Sequence, residues 1–69
     1  MTELIFIVEE DVEGGFTARA IGAPIFTEAE TLEELRRNVR EAVECHFEQP
    51  KDRPKIVRLH VTRDEVLTL

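Results

Sequence analysis

Residues 31–47, TLEELRRNVREAVECHF, carry the one clear helical pattern in the chain and decide how the rest is arranged. Apolar side chains recur at Leu32, Leu35, Val39, Ala42, Val43 and Phe47, the three-and-four spacing of a helix with one buried stripe. Glu33, Arg36, Arg37, Arg40, Glu41, Glu44 and Glu48 occupy much of the remaining surface. Thr31 and Glu34 fit a capping box, in which the threonine hydroxyl accepts from the third helical N–H and the carboxylate reaches back to the Thr31 N–H. An acidic first turn also suits the positive end of the helix dipole. Glu33–Arg37, Arg37–Glu41 and Arg40–Glu44 place opposite charges four apart, each pair worth about 0.2–0.5 kcal/mol. The pattern ends before Pro50.

Strands flank this helix on both sides. From Thr2 to Glu10, Leu4, Phe6 and Val8 share one face while Ile5 and Ile7 share the other. Apolar residues on both faces predict a central strand. Asp11 to Gly15 is a turn, with Gly14 and Gly15 free to take positive φ. Phe16 to Ile21 is a second strand, broken by Gly22-Ala23-Pro24, and Ile25 to Glu28 is a short third one. After the helix, Lys51 to Pro54 is a polar turn. Lys55 to Arg63 alternates cleanly, with Val57, Leu59 and Val61 inward and Arg58, His60 and Thr62 outward; Ile56 is the apolar exception on the outer face. Asp64 to Leu69 carries Val66, Leu67 and Leu69, and this apolar content predicts docking on the same subunit or on another.

The order β-β-β-α-β predicts an α+β domain spanning residues 1–69. Three antiparallel strands and one helix leave the fourth strand parallel to the first. A right-handed crossover then gives the sheet order 3-2-1-4, with the helix on one face. The other face keeps Ile5, Ile7, Ile21 and Ile56, which a second subunit could cover.

The bulk properties narrow the function. A 69-residue chain buries a small core and is marginal alone. Cys45 is the only cysteine and His46 and His60 the only histidines, so neither a disulfide nor a metal site is expected. A homodimer or a partner-bound state is expected instead. A lone cysteine and the absence of a signal-like or membrane-length apolar segment predict a cytoplasmic protein. With 15 Asp and Glu against 9 Lys and Arg, the net charge of −6 disfavours direct nucleic-acid binding and favours a basic partner.

Catalysis finds no support in the residue pattern. Cys45 and His46 are adjacent on a helix and so point about 100° apart, which keeps them from acting as nucleophile and base. They read as a small thiol and an amphipathic ring at the core edge. Phe6, Phe16, Phe26 and Phe47 are spaced as core residues, and no cofactor is expected. Two groups remain as candidates for partner contact. Glu9, Glu10, Asp11 and Glu13 cluster about the first turn, which reads either as a solvated turn or as a patch for a basic partner. Arg58, His60 and Thr62 form a polar row on the outer face of the last strand, either solvated or in contact with a partner.

Three segments together resemble a known family. They are Gly14-Gly15-Phe16-Thr17-Ala18-Arg19-Ala20, then Phe26 to Leu35 with Thr31-Leu32-Glu33-Glu34-Leu35 at the helix start, then Asn38-Val39 and Glu41-Ala42. In order and spacing they are similar to the N-terminal domain of HicB antitoxins, over roughly Leu4 to Val61. The resemblance implies a partial RNase-H-like β-β-β-α-β fold and a dimer. It further implies a protein-binding module that neutralises a small basic HicA-like, mRNA-cleaving toxin by masking its active surface. Two features depart from the family. The DNA-binding domain that usually follows is not expected here, so operator binding is not carried over. Pro24-Ile25-Phe26-Thr27-Glu28 also replaces the usual Leu-Pro-Gly stretch. These departures keep open an alternative, an orphan homo-oligomeric domain that binds a small ligand or serves as an accessory subunit.

Overall fold

The computed structural model describes residues 2–69. The chain runs β1 (Glu3–Glu10), β2 (Phe16–Ala20), β3 (Phe26–Ala29), α1 (Leu32–His46), a short 3-10 turn (Pro50–Asp52) and β4 (Ile56–Thr62). The strands form one mixed sheet in the order β3-β2-β1-β4. β1 is antiparallel to β2, β2 is antiparallel to β3, and β4 is parallel to β1. This is the α+β topology expected from the periodicity.

β1 is central because both of its faces are apolar. Leu4, Phe6 and Val8 point toward α1 and are buried. They meet Ala18 and Ala20 across the antiparallel ladder, where Val8 faces Ala18 and Phe6 faces Ala20. Small residues opposite large ones let the helix layer settle close to the sheet. Leu35, Val39 and Val43 complete the buried cluster from the helix side, and Ile25 closes it at the β2–β3 turn. That turn also fixes where β3 begins. The Ile25 N–H donates to the Ala23 carbonyl, and the Ala20 N–H to the Ile25 carbonyl, so the ladder with β2 starts one residue later, at Phe26.

The helix ends are held by different devices. At the start, the Glu34 N–H donates to the Thr31 hydroxyl at 3.1 Å. The reciprocal half of the expected capping box does not form among the described residues. At the other end Arg53 folds back onto the open carbonyls. Its Nε–H donates to the Phe47 carbonyl at 2.8 Å, and its guanidinium also reaches the carbonyls of Glu44 and Glu48. A planar fork is suited to several acceptors at once. Arg53→Ala is therefore expected to cost about 1–2 kcal/mol through the loss of charge-assisted bonds. Arg53→Lys should recover only part of it, as read by urea denaturation of the two variants against wild type.

Two expectations are corrected here. Phe26 is 63% exposed, because its pairing with Arg19 puts it on the sheet face away from the helix. Cys45 and His46 are both exposed rather than at the core edge; His46 keeps only an edge-on contact with the Phe47 ring.

The helix also covers less of the sheet than expected. A helix is about 10–12 Å across, whereas four strands at about 4.8 Å spacing are nearly twice as wide. α1 lies over β2 and β3, beside the core residues of β1. Asn38 anchors it there by donating to the Glu28 carbonyl on edge strand β3 at 3.1 Å. Val57 and Leu59 on β4 are consequently half-buried, and Val61 is 50% exposed.

Candidate protein-binding surface

The turn after β1 is built by Asp11. Its carboxylate accepts from the Glu13 N–H at 2.9 Å, and its carbonyl accepts from the Gly14 N–H at 3.0 Å. Its own N–H closes the turn on the Gly15 carbonyl at 2.9 Å. Gly15 has a φ of 87°, and a Cβ there would lie 3.3 Å from the Ala29 carbonyl. Glycine thus brings the β1–β2 turn close to the end of β3.

This close approach creates a hollow of about 340 Å³. Asp11, Glu28, Glu30 and Glu34 are among the residues that line it, with Phe16 and Thr17. Among the described residues no lysine, arginine or histidine lines it. Glu34, freed from the reciprocal capping bond, contributes to this hollow. The four acids give this lining one sign of charge, which suits a cationic side chain. Among the described residues no group of three or more His, Cys, Asp or Glu side chains has a metal-binding arrangement.

The four acidic residues expected to act together separate in the fold. Glu9 is exposed on the open sheet face, beside Thr17 and Thr62. Glu10 projects to the opposite face, is half-buried, and pairs with Arg63 at 3.1 Å. Asp11 and Glu13 stay on the turn, and only Asp11 lines the hollow. Glu28, Glu30 and Glu34 escaped the sequence reading because they lie far from Asp11 along the chain. The signal that unites them is the hairpin register, which sets Thr17 against Glu28 and Phe16 against Ala29.

The row on β4 also divides. Arg58 forms an ion pair with Glu3, whose hydrogen bond first and charge second raise the guanidinium pKa above its ordinary value. The Thr62 hydroxyl donates to the Val8 carbonyl at 3.0 Å, tying β4 to β1. Only His60 in the row has no hydrogen bond or ion pair among the described residues. Around it the open sheet face carries Ile5, Ile7, Ile21, Phe26 and Ile56, as the alternation required for all but Phe26. Ile21, Phe26 and Ile56 are exposed.

Among the described residues no helix is long and apolar enough to cross a membrane. No family model matches the chain, and no solved structure gives a significant match. Two relatives are similar along most of their length. A UPF0150 protein of Archaeoglobus fulgidus is 57% identical over 53 residues, covering 77% of each chain. A UPF0150 protein of Thermotoga maritima is 33% identical over 67 residues, covering 97% of this chain and 93% of the relative. The chain belongs to the UPF0150 family.

Proposed function

We propose that this protein is a non-enzymatic, cytoplasmic, antitoxin-like module that neutralises a small basic HicA-type ribonuclease by covering its RNA-binding surface. The observation that carries the reading is the acidic hollow between the β1–β2 turn and the start of α1, lined by Asp11, Glu28, Glu30 and Glu34 and by no basic residue. A ribonuclease must present cations to the phosphate backbone of its substrate. A surface of fixed carboxylates competes for the same cations and speeds the encounter by long-range attraction. The net charge of −6 adds to that steering and disfavours direct contact with nucleic acid.

The test is recovery of the protein with its partner from the native cell, followed by assay of the partner alone. The expected result is a small basic protein whose mRNA cleavage stops when the chain is added back. Recovery of a partner with no ribonuclease activity would overturn the reading.

One observation favours a second reading, an orphan homo-oligomeric domain that binds a small ligand or acts as an accessory subunit. Phe26, Ile21 and Ile56 are exposed on one sheet face, and a large apolar patch marks an interaction site. Under that reading the chain is recovered only with itself.

A further inference from the structure

The sheet has two edges, and they are treated differently. β3 is four residues long, and one of its carbonyls is taken by Asn38. β4 is seven residues long and lies at the end of the sheet, with no strand beyond it among the described residues. Long unpaired edges are sites of strand addition unless they are covered. Beside this edge, between β4 and α1, runs a groove of about 380 Å³. Its floor is Val39, Val57, Leu59 and Val61, and Arg36 and Arg40 stand at its helix side. No ion pair holds either arginine among the described residues, since none of the four-apart helical pairs closes.

Residues 63–69 continue from β4 without a turn or bend. Apart from the Arg63–Glu10 pair, no hydrogen bond or ion pair ties them to the body of the protein among the described residues. Val66 is 80% and Leu67 75% exposed, and the molecule is drawn out to 52 Å against 19 and 17 Å in the other directions. The expected docking on the same subunit is therefore absent.

We propose that residues 63–69 of one copy add as an antiparallel strand to the β4 edge of a second copy, reciprocally about a two-fold axis near Arg63. With the axis at Arg63, residues 64–69 of one copy lie against residues 57–62 of the other, so that Leu67 falls opposite Leu59 and Leu69 opposite Val57. Since side chains alternate along a strand, Glu65, Leu67 and Leu69 fall on one face and Val66 on the other. Leu67 and Leu69 then close the groove over Val57 and Leu59, while Glu65 faces the Arg36–Arg40 side. Val66 falls opposite His60 on the open face. The sequence between Thr62 and Val66 has no Gly, Asn or Pro to turn the segment back onto its own strand. The two sheets merge into one of eight strands, and both β4 edges are paired.

The test is sedimentation equilibrium of the full chain, with amide exchange of residues 63–69 followed over the same concentrations. A dimer is expected whose 63–69 amides become protected as the protein dimerises. Leu67→Asp with Leu69→Asp should raise the dimer Kd at least about 100-fold while leaving the circular dichroism spectrum unchanged. Glu65→Arg should weaken the dimer, and Arg36→Glu with Arg40→Glu should restore it. A monomeric wild type would overturn the proposal. So would protection independent of concentration, or a dimer indifferent to the aspartates. No toxin enters this experiment, so its result is separate from the antitoxin reading.

Discussion

Phe6→Ala is expected to leave the chain largely unfolded at room temperature. Phe6 is fully buried at the centre of β1, between Ala20 on one neighbouring strand and Leu59 on the other. Truncating a buried phenylalanine costs about 3–5 kcal/mol, from lost transfer energy and the cavity left behind. At about 0.05–0.15 kcal/mol per residue, a chain of this size has roughly 3–10 kcal/mol of folding free energy in total. Over the lower half of that range the one change removes most or all of it. Phe26→Ala, on the open face, should shift stability by no more than about 0.5 kcal/mol. Thermal melts of the two variants, followed by circular dichroism, make the comparison. A Phe6→Ala protein that melts like wild type would contradict the placement of the core. A large loss at Phe26 would mean that the open sheet face is covered in solution.

The contrast between these two phenylalanines shows where sequence reading reaches its limit. β1 was legible because its alternation is apolar on both sides, a pattern that only a central strand tolerates. The position of β4 followed from chain direction and crossover handedness. Phe26 was misread because the phase of β3 is set by the Gly22 to Ile25 turn, where one N–H leaves the ladder, and not by spacing from other aromatic residues. The role of Arg53 was hidden for a related reason. A polar turn after a helix looks the same whether or not one of its side chains folds back onto the helix carbonyls. The half-covered β4 arises from the width of one helix against four strands, together with the Asn38 anchor that holds α1 toward β3. Spacing along the chain carries no information about that lateral placement.

The acidic site was legible only in part, and its correction sharpens the second large prediction. Sequence proximity grouped Glu9, Glu10, Asp11 and Glu13, yet the pleat sends Glu9 and Glu10 to opposite faces and Arg63 neutralises Glu10. The register of β2 with β3, together with the turn at Gly15, instead brings Asp11 to Glu28, Glu30 and Glu34. Under the proposed antitoxin function, Asp11→Asn with Glu28→Lys and Glu30→Lys is therefore expected to weaken inhibition of the ribonuclease at least about 100-fold, since close interfacial charge pairs couple by about 1.5–7 kcal/mol. Asparagine keeps an oxygen for the Glu13 N–H, so the turn itself should survive. A matched control, Glu41→Lys with Glu44→Lys and Glu48→Gln, makes the same formal change in net charge on exposed positions toward the other end of the helix. If net charge alone steers the partner, the two triple variants lose inhibition equally and the hollow is not the binding surface. If the hollow holds the partner's cations, the first variant loses far more. Its deficit should also shrink less on adding salt than the control's, because contacts buried in an interface are screened less than exposed charges. Inhibition constants for both proteins, measured across a salt series, distinguish the two outcomes.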